Sequence, residues 1–457
     1  RLMRTTNLCR NFLREILMSV HASKKSSYSY LQEVGAAVFS AFFLSACAAS
    51  ASENVTIHQS EDMQPWQQNA WDNVFDGSKN GQSSGNVFLF DVANTEEEAL
   101  TGFAFHAASS APEQAENLIH IQNGYFRARG TQTAFVASYG AEKNASNNRL
   151  LVSGGNFLKA TGVNFPDDHV ILMTAAEGDA DLAGNSIVVS GGRFEAPTEM
   201  TAALNTSDKL NVLSDNIIRL QAPAQIENWS ALTAAVAEGG LLTRNRIEVE
   251  GVKSQKIDML VAAHTEFGDA SQNAVVVKDS DIYVRSGIHA AEATSSTPST
   301  VSSNLVFVEN SVLSQGNSFG AAFNRSGDVT NNGIIIRNST IEKPSDAGFV
   351  SDVYVYGGEL DGGQGTVSGN LIQLENVKLR LEDGQSAYFI AGQIDANEGG
   401  QVCGNAVEII GNGQWQENLS RANLIGGRIL DDKTGAGIRG NVLKLRNWRG
   451  TLSSIAG

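Results

Sequence analysis

Twelve times along the chain an Asn is followed by apolar residues two and four positions later. The copies begin at Asn86 (NVFLF), Asn117 (NLIHI), Asn148 (NRLLV), Asn185 (NSIVV), Asn216 (NIIRL), Asn245 (NRIEV), Asn273 (NAVVV), Asn304 (NLVFV), Asn332 (NGIII), Asn370 (NLIQL), Asn405 (NAVEI) and Asn441 (NVLKL). Their spacings are 31, 31, 37, 31, 29, 28, 31, 28, 38, 35 and 36 residues. Such a repeat constrains a chain strongly. One unit is too short to bury its own apolar face, so neighbouring units must stack and share a core. Within the motif the period is two, which puts positions +2 and +4 on one face of a strand. A Gly, Asn or Ser and another apolar residue follow, as in SGGNF (Phe157), SGGRF (Phe194) and GNGQW (Trp415), reading as a tight turn and a second strand. Some 17 to 27 residues after most motif Asn comes a pair of small residues. The pairs are Ala107-Ala108, Ala175-Ala176, Ala202-Ala203, Ala234-Ala235, Ala262-Ala263, Ala290-Ala291, Ala321-Ala322, Gly357-Gly358, Ala391-Gly392 and Gly426-Gly427.

About three short strands per unit, with no helical period long enough for a crossover helix, predict an all-β fold. The expected architecture is a right-handed, single-stranded parallel β-helix, a solenoid of about twelve rungs over residues 86–457. A β-propeller fits less well, because about 32 residues is short for a four-stranded blade and twelve blades exceed the usual range. In a solenoid the repeated Asn has a physical task. Its amide can donate to the Asn one rung along and accept from the other side, and its tolerance of left-handed backbone suits a corner. The small pairs are expected at another corner, where bulk would force strands apart. Only seven Pro against 45 Gly agrees with a continuous strand ladder, since Pro cannot donate to one.

The formal charge of −16 averages two unlike regions. Residues 1–46 carry six Lys/Arg and two acids, leaving 27 basic and 47 acidic residues in the rest. After Lys24-Lys25 the uncharged run Val34 to Ala46 is too short to span a bilayer and has the form of a secretory signal. Leu44-Ser45-Ala46-Cys47 resembles a lipobox that would leave Cys47 lipidated, while Ala49-Ser50-Ala51 offers an ordinary cleavage site; both readings stay open. Met18 or Met3 is the expected start. Residues 1–47 are thus read as leader and 48–85, with Trp66, Trp71 and Phe75, as a cap over the first rung. No comparable cap follows Asn441, so the chain is expected to continue or to be incomplete there. Cys403 is the one certain thiol after the leader, which excludes an intrachain disulfide. An acidic rod does not suit nucleic acid.

The pattern N-x-[VIL]-x-[VIL]-x-x-G with small-residue strands, seen in GNSIVVSGGRF (Gly184 to Phe194), SGNLIQLENVKL (Ser368 to Leu379) and ANLIGGRI (Ala422 to Ile429), resembles the passenger region of bacterial autotransporter (type V secretion) proteins. The resemblance covers about residues 86–450. It implies export from a Gram-negative cell and display at the outer membrane or beyond, with adhesion, aggregation or host contact as the activity. The partner would be a host-cell, matrix or bacterial-surface receptor. It also implies a C-terminal outer-membrane barrel, whose alternating strands with aromatic girdles do not appear after residue 441.

Parallel β-helices also carry polysaccharide lyases and glycosidases, which need paired carboxylates or acidic calcium ligands beside a basic residue. The candidates are Asp167-Asp168-His169, His264 with Glu266, and Asp431-Asp432-Lys433, each in a polar loop where acids serve solubility. His106, His120 and His289 lack metal-ligand spacing. Arg127 and Arg129 are expected to face solvent, as is Glu96-Glu97-Glu98 at a loop tip. No G-x-S-x-G, P-loop, H-E-x-x-H or calcium nonapeptide is present. The sequence therefore assigns no catalytic residue, cofactor or metal. It favours a non-enzymatic surface protein over a lyase, a glycosidase or a spacer stalk.

Overall fold

Each motif strand lies parallel and in register on the motif strand of the turn before. Ile218 pairs with Ile247, and Ile247 with Val275, so the apolar +2 positions form one inward column. The columns at +2 and +4 are buried along the rod, as at Ile218, Leu220, Ile247 and Val249. The result is a 13-stranded sheet from Asn54–Ile57 to Val442–Arg446, the motif sheet. The strand preceding each motif builds an 11-stranded sheet from Glu113–Ala115 to Gly437–Arg439, the pre-motif sheet. A 24-stranded wide sheet forms the remaining wall, and a five-stranded sheet, Leu100–Thr101 through Gln225–Ile226, supplements it in the first turns. Phe157 and Phe194 lie on strands of that small sheet and stack at 4.4 Å along the rod. The computed structural model describes residues 54–456 except 69–72, 81–82, 129–132, 161–168, 208, 254, 316–317, 344–351, 363, 398, 414, 417–418 and 433–436. They form a parallel β-solenoid, its complete turns matching the 11 strands of the pre-motif sheet. The leader with Cys47, and Trp71 of the expected cap, fall outside the described residues.

The motif Asn side chains form one continuous column of hydrogen bonds. From Asn117 to Asn405, each Nδ2 donates to Oδ1 of the Asn one turn on, at 2.9–3.1 Å. The same Oδ1 also accepts the preceding Asn's backbone N–H, as from Asn185 to Asn216 at 3.1 Å. The second Nδ2 proton goes to a pre-motif carbonyl, Leu182 in the case of Asn216. Asn86 joins through its backbone N–H to Asn117, while its own Nδ2 donates to the Ala107 carbonyl.

The left-handed backbone expected of these Asn belongs instead to the residue before each one. Gly85, Glu116, Asn147, Gly184, Asp215, Arg244, Gln272, Ser303, Asn331, Gly369, Gly404 and Gly440 all have φ between 55° and 73°. That residue turns the chain from pre-motif to motif strand, leaving the Asn extended and aimed inward. Non-Gly residues there carry a cost of about 1 kcal/mol each, which the saturated amide behind them offsets. A second corner repeats the device. Ser280 and Ser311 donate their N–H groups to Oγ of Ser311 and Ser339, each at 3.1 Å. These serines follow Asp279, Asn310 and Asn338, whose φ values are 47–50°.

The small pairs stand opposite the Asn column. The first Ala of a pair, such as Ala234 or Ala262, packs in the larger core under the motif sheet. The second, Ala235 or Ala263, packs in a smaller core under the pre-motif sheet. The pair and the Asn amide thus pinch the cross-section between two cores. One pair is shifted from its expected frame. Ala176 pairs with Leu204, so the corner is Thr174-Ala175, and Thr174 fits by donating its hydroxyl to the Ala202 carbonyl at 2.7 Å. A Cβ on Gly392 would lie 2.5 Å from Asn405 Nδ2. Gly392→Val is therefore expected to cost about 1–3 kcal/mol by overpacking. Gly437, where a Cβ meets nothing within 4 Å, should accept Ala with an unchanged urea midpoint. Equal midpoints for the two variants would remove the pinch as the reason for small residues.

Candidate functional site: the outer corner of the wide sheet

Two consecutive inward residues bend a strand, so the wall is concave outside each small pair. The residues just before and just after the pair face outward into this groove. Their burial on an outer surface shows the concavity: Val136 is 4% exposed, Val261 1%, Ile390 0% and Gln393 1%. In the first turns the groove is apolar, with Val136, Ile171 and Met173 in one cluster beside Tyr139 and Leu204. From His264 onward polar residues enter it, in two stretches separated by Phe323, the register partner of both Glu292 and Glu359.

His264 and Glu292 are register partners on adjacent turns, and Nδ1 of His264 lies 2.9 Å from Glu292 Oε2. His289 Nδ1 lies 3.3 Å from the other carboxyl oxygen. Burial alone would push the Glu292 carboxyl up, but His289 and His264 outweigh it and hold it below its usual range. Of the candidate pair His264 and Glu266, His264 bonds Glu292 instead, while Glu266 is exposed, as an acid serving solubility would be.

Farther along, Glu359, Gln393 and Arg428 occupy equivalent places on three successive turns. Nε2 of Gln393 donates to Glu359 Oε1 at 3.4 Å and to Asp395 Oδ1. Gln393 Oε1 is buried with no hydrogen-bond partner among the described residues, and so is Nε of Arg428. Desolvation, with Asp395 and Asp361 nearby, pushes the Glu359 carboxyl up to about 8. Burial raises Asp395 as well. Asp361 lies 4.0 Å from Arg325 at the rim. One wall carries three half-buried rings. Tyr354 stacks on its register partner Tyr388 at 5.1 Å and 10°, and runs parallel to Tyr356 at 6.0 Å and 5°. Burial raises the Tyr356 hydroxyl, so it stays neutral.

The other sequence candidates lie apart from this cluster. Asp167, Asp168, Arg129 and Lys433 fall outside the described residues, as do the side chains of Asp431 and Asp432; His169 begins the approach to the strand Val170–Met173. His106 stacks on Tyr139 at 4.5 Å. His120 bonds Ser153 Oγ at 2.9 Å on the outer motif sheet, where burial pushes its pKa down. Arg127, expected in solvent, is instead bound to the Glu96 and Lys159 carbonyls, its side chain only 12% exposed. No three His, Cys, Asp or Glu side chains are grouped to hold a metal among the described residues. Sequence reading missed the groove because its members differ from turn to turn. Aligning the turns on the small pairs would have exposed Glu359, Gln393 and Arg428 as successors of one position.

No protein-family model, no curated protein and no solved structure matches the chain.

Proposed function

We propose that the chain is an exported, non-catalytic β-solenoid of the autotransporter-passenger kind, displayed on a Gram-negative cell and acting in adhesion, aggregation or host contact through its outer faces. The observation that carries this reading is the groove itself. It is a long concave surface with a built polar segment, yet its carboxylates suit binding rather than bond cleavage. Glycoside hydrolysis needs one protonated and one ionised carboxyl flanking the scissile bond. Glu359 and Asp395 are instead bridged by one amide nitrogen and both shifted toward protonation. The Gln393 side chain fills the space between them.

The test uses the gene with its leader intact. Protease added to intact cells should remove the protein, and expression should raise cell–cell or cell–surface attachment. Incubation with neutral and acidic polysaccharides, with and without calcium, should release no new ends. A protein retained in the cytoplasm defeats the display reading. New reducing or unsaturated ends would turn the assignment to a hydrolase or lyase.

A further inference from the structure

The outer face of the motif sheet takes no part in the groove. On the four turns that begin at Asn273, Asn304, Asn332 and Asn370, its outward residues stand one, three and five places after each Asn and form three columns. The first column reads Ala274, Leu305, Gly333, Leu371, and the second Val276, Phe307, Ile335, Gln373. The third alternates in charge: Lys278, Glu309, Arg337, Glu375. Lys278 lies 3.9 Å from Glu309 and Arg337 3.1 Å from Glu375, yet each of the four keeps between 31% and 42% of its side chain exposed. Lys278 and Arg337 also reach over the Phe307 ring from the turns on either side, 5.4 and 5.8 Å from its centroid, and hold it in place. Ion pairs bound the patch at both ends, with Glu248 held by Arg219 and Arg246 before it and Glu408 by Arg446 after it. An apolar centre inside a charged rim is the build of a protein–protein contact.

The order of the residues identifies the partner. Read from either end, the charge column is its own complement. A two-fold axis along the strands, midway between the turns of Asn304 and Asn332, would set Lys278 against Glu375 of a second copy and Glu309 against Arg337. The same rotation would set Leu305 over Gly333 and Leu371 over Ala274, large on small in both cases, with Phe307 beside Ile335. Self-complementarity under a two-fold rotation is what a homodimer contact requires. An unrelated partner gives no reason for charge and size to invert together on reversal. Sheets stacked face to face cross at about 30°, which carries the charged rims of the two rods apart.

We infer that the outer motif sheet between Ala274 and Glu375 is a self-association face, on which a second copy of the chain packs with its rod antiparallel to the first. This goes beyond the display reading and does not depend on it. The patch measures about 20 Å along the rod by about 14 Å across. Pairing thus buries on the order of 700 Å² over two copies, less than the roughly 1,200 Å² of a stable complex. The association is therefore reversible and grows with concentration.

The experiment is sedimentation equilibrium of the purified chain up to the millimolar range, where the parent should pass from monomer to dimer. Glu309→Arg sets a guanidinium against Arg337 of the second copy, and Arg337→Glu sets a carboxylate against Glu309. Each alone should weaken association about ten-fold or more. An equimolar mixture of the two variants restores both contacts and should associate as the parent does, a rescue that no effect within one chain produces. Leu305→Glu should abolish pairing, while Leu118→Glu, at the same place on an earlier turn, should leave it intact. A parent that stays monomeric, single reversals that associate as the parent does, or a mixture that stays apart overturns the inference. A displayed chain that stays monomeric overturns this inference alone. A cytoplasmic chain that pairs overturns the display reading and leaves the face standing.

Discussion

Replacing Asn216 with Leu, close in volume, is expected to lower stability by about 4 kcal/mol, the largest effect of any single polar substitution in the rod. The amide is fully buried and uses its whole hydrogen-bonding capacity. It donates to Asn245 Oδ1 and to the Leu182 carbonyl, each at 2.9 Å. It accepts from the side chain of Asn185 at 3.0 Å and from its backbone N–H at 3.1 Å. Leucine leaves the Leu182 carbonyl and both Asn185 donors unpaired between two apolar cores, where water does not reach them. Each orphan costs about 1–3 kcal/mol. The same change at Asn441, in the last turn and half-exposed, should cost only about 1 kcal/mol, because solvent replaces part of what is lost. Urea midpoints measure the difference, and hydrogen exchange should show lost protection concentrated in the turns between Asn185 and Asn245. Equal midpoints for the two variants would show that burial in the column adds nothing to an amide.

How much of this was legible follows from what each turn demands. The Asn is visible because every turn needs the same donors and acceptors at the same height, and no other side chain supplies two of each in that space. The small pairs are visible because the amide opposite leaves no room for more than a methyl. Thr174 escaped that reading, since a hydroxyl that bonds the next turn fits where size alone argues against it. The left-handed residue before each Asn is a backbone requirement. Glu116, Arg244 and Gln272 meet it as Gly404 does, so no residue type marks it. The serine column could have been found in the pairs Asp279-Ser280, Asn310-Ser311 and Asn338-Ser339, which recur six positions after the motif begins. The groove is different in kind. Its residues are 34 or 35 positions apart and chemically unlike, because the stacking of turns demands the same group at an inward height but not at an outward one.

That difference sets the expected behaviour of Glu359, where the groove works against the scaffold. Its carboxyl ordinarily titrates near 4.5 and is pushed up to about 8 in the folded chain. Between these values the folded state holds a proton that the unfolded chain has released, so stability falls as pH rises through the window. Above about pH 8 the full cost is present, up to about 5 kcal/mol for a shift of this size. Raised Asp395 adds to the loss with the same sign, starting from a lower ordinary value. Glu359→Gln keeps the shape and an acceptor for Gln393 Nε2 but cannot ionise. It should match the parent at pH 4 and be more stable by a few kcal/mol at pH 9, measured as urea midpoints across the range. A parent whose midpoint does not decline from pH 5 to 9, or a variant that gains nothing at pH 9, would place Glu359 in solvent and leave it an ordinary surface acid. The opposite control is Glu292. His289 and His264 hold it below its usual range despite burial, so its contribution is present at neutral pH and is lost on acidification. Glu292→Gln should therefore weaken the rod at pH 7 while Glu359→Gln does not, although both glutamates line the same groove. A groove that keeps one carboxyl ionised beside two imidazoles, and another protonated by burial and two neighbouring carboxylates, has given up stability at one end and retained it at the other. The end that gave it up is also the end where Gln393 Oε1 and Arg428 Nε lie buried with no hydrogen-bond partner among the described residues.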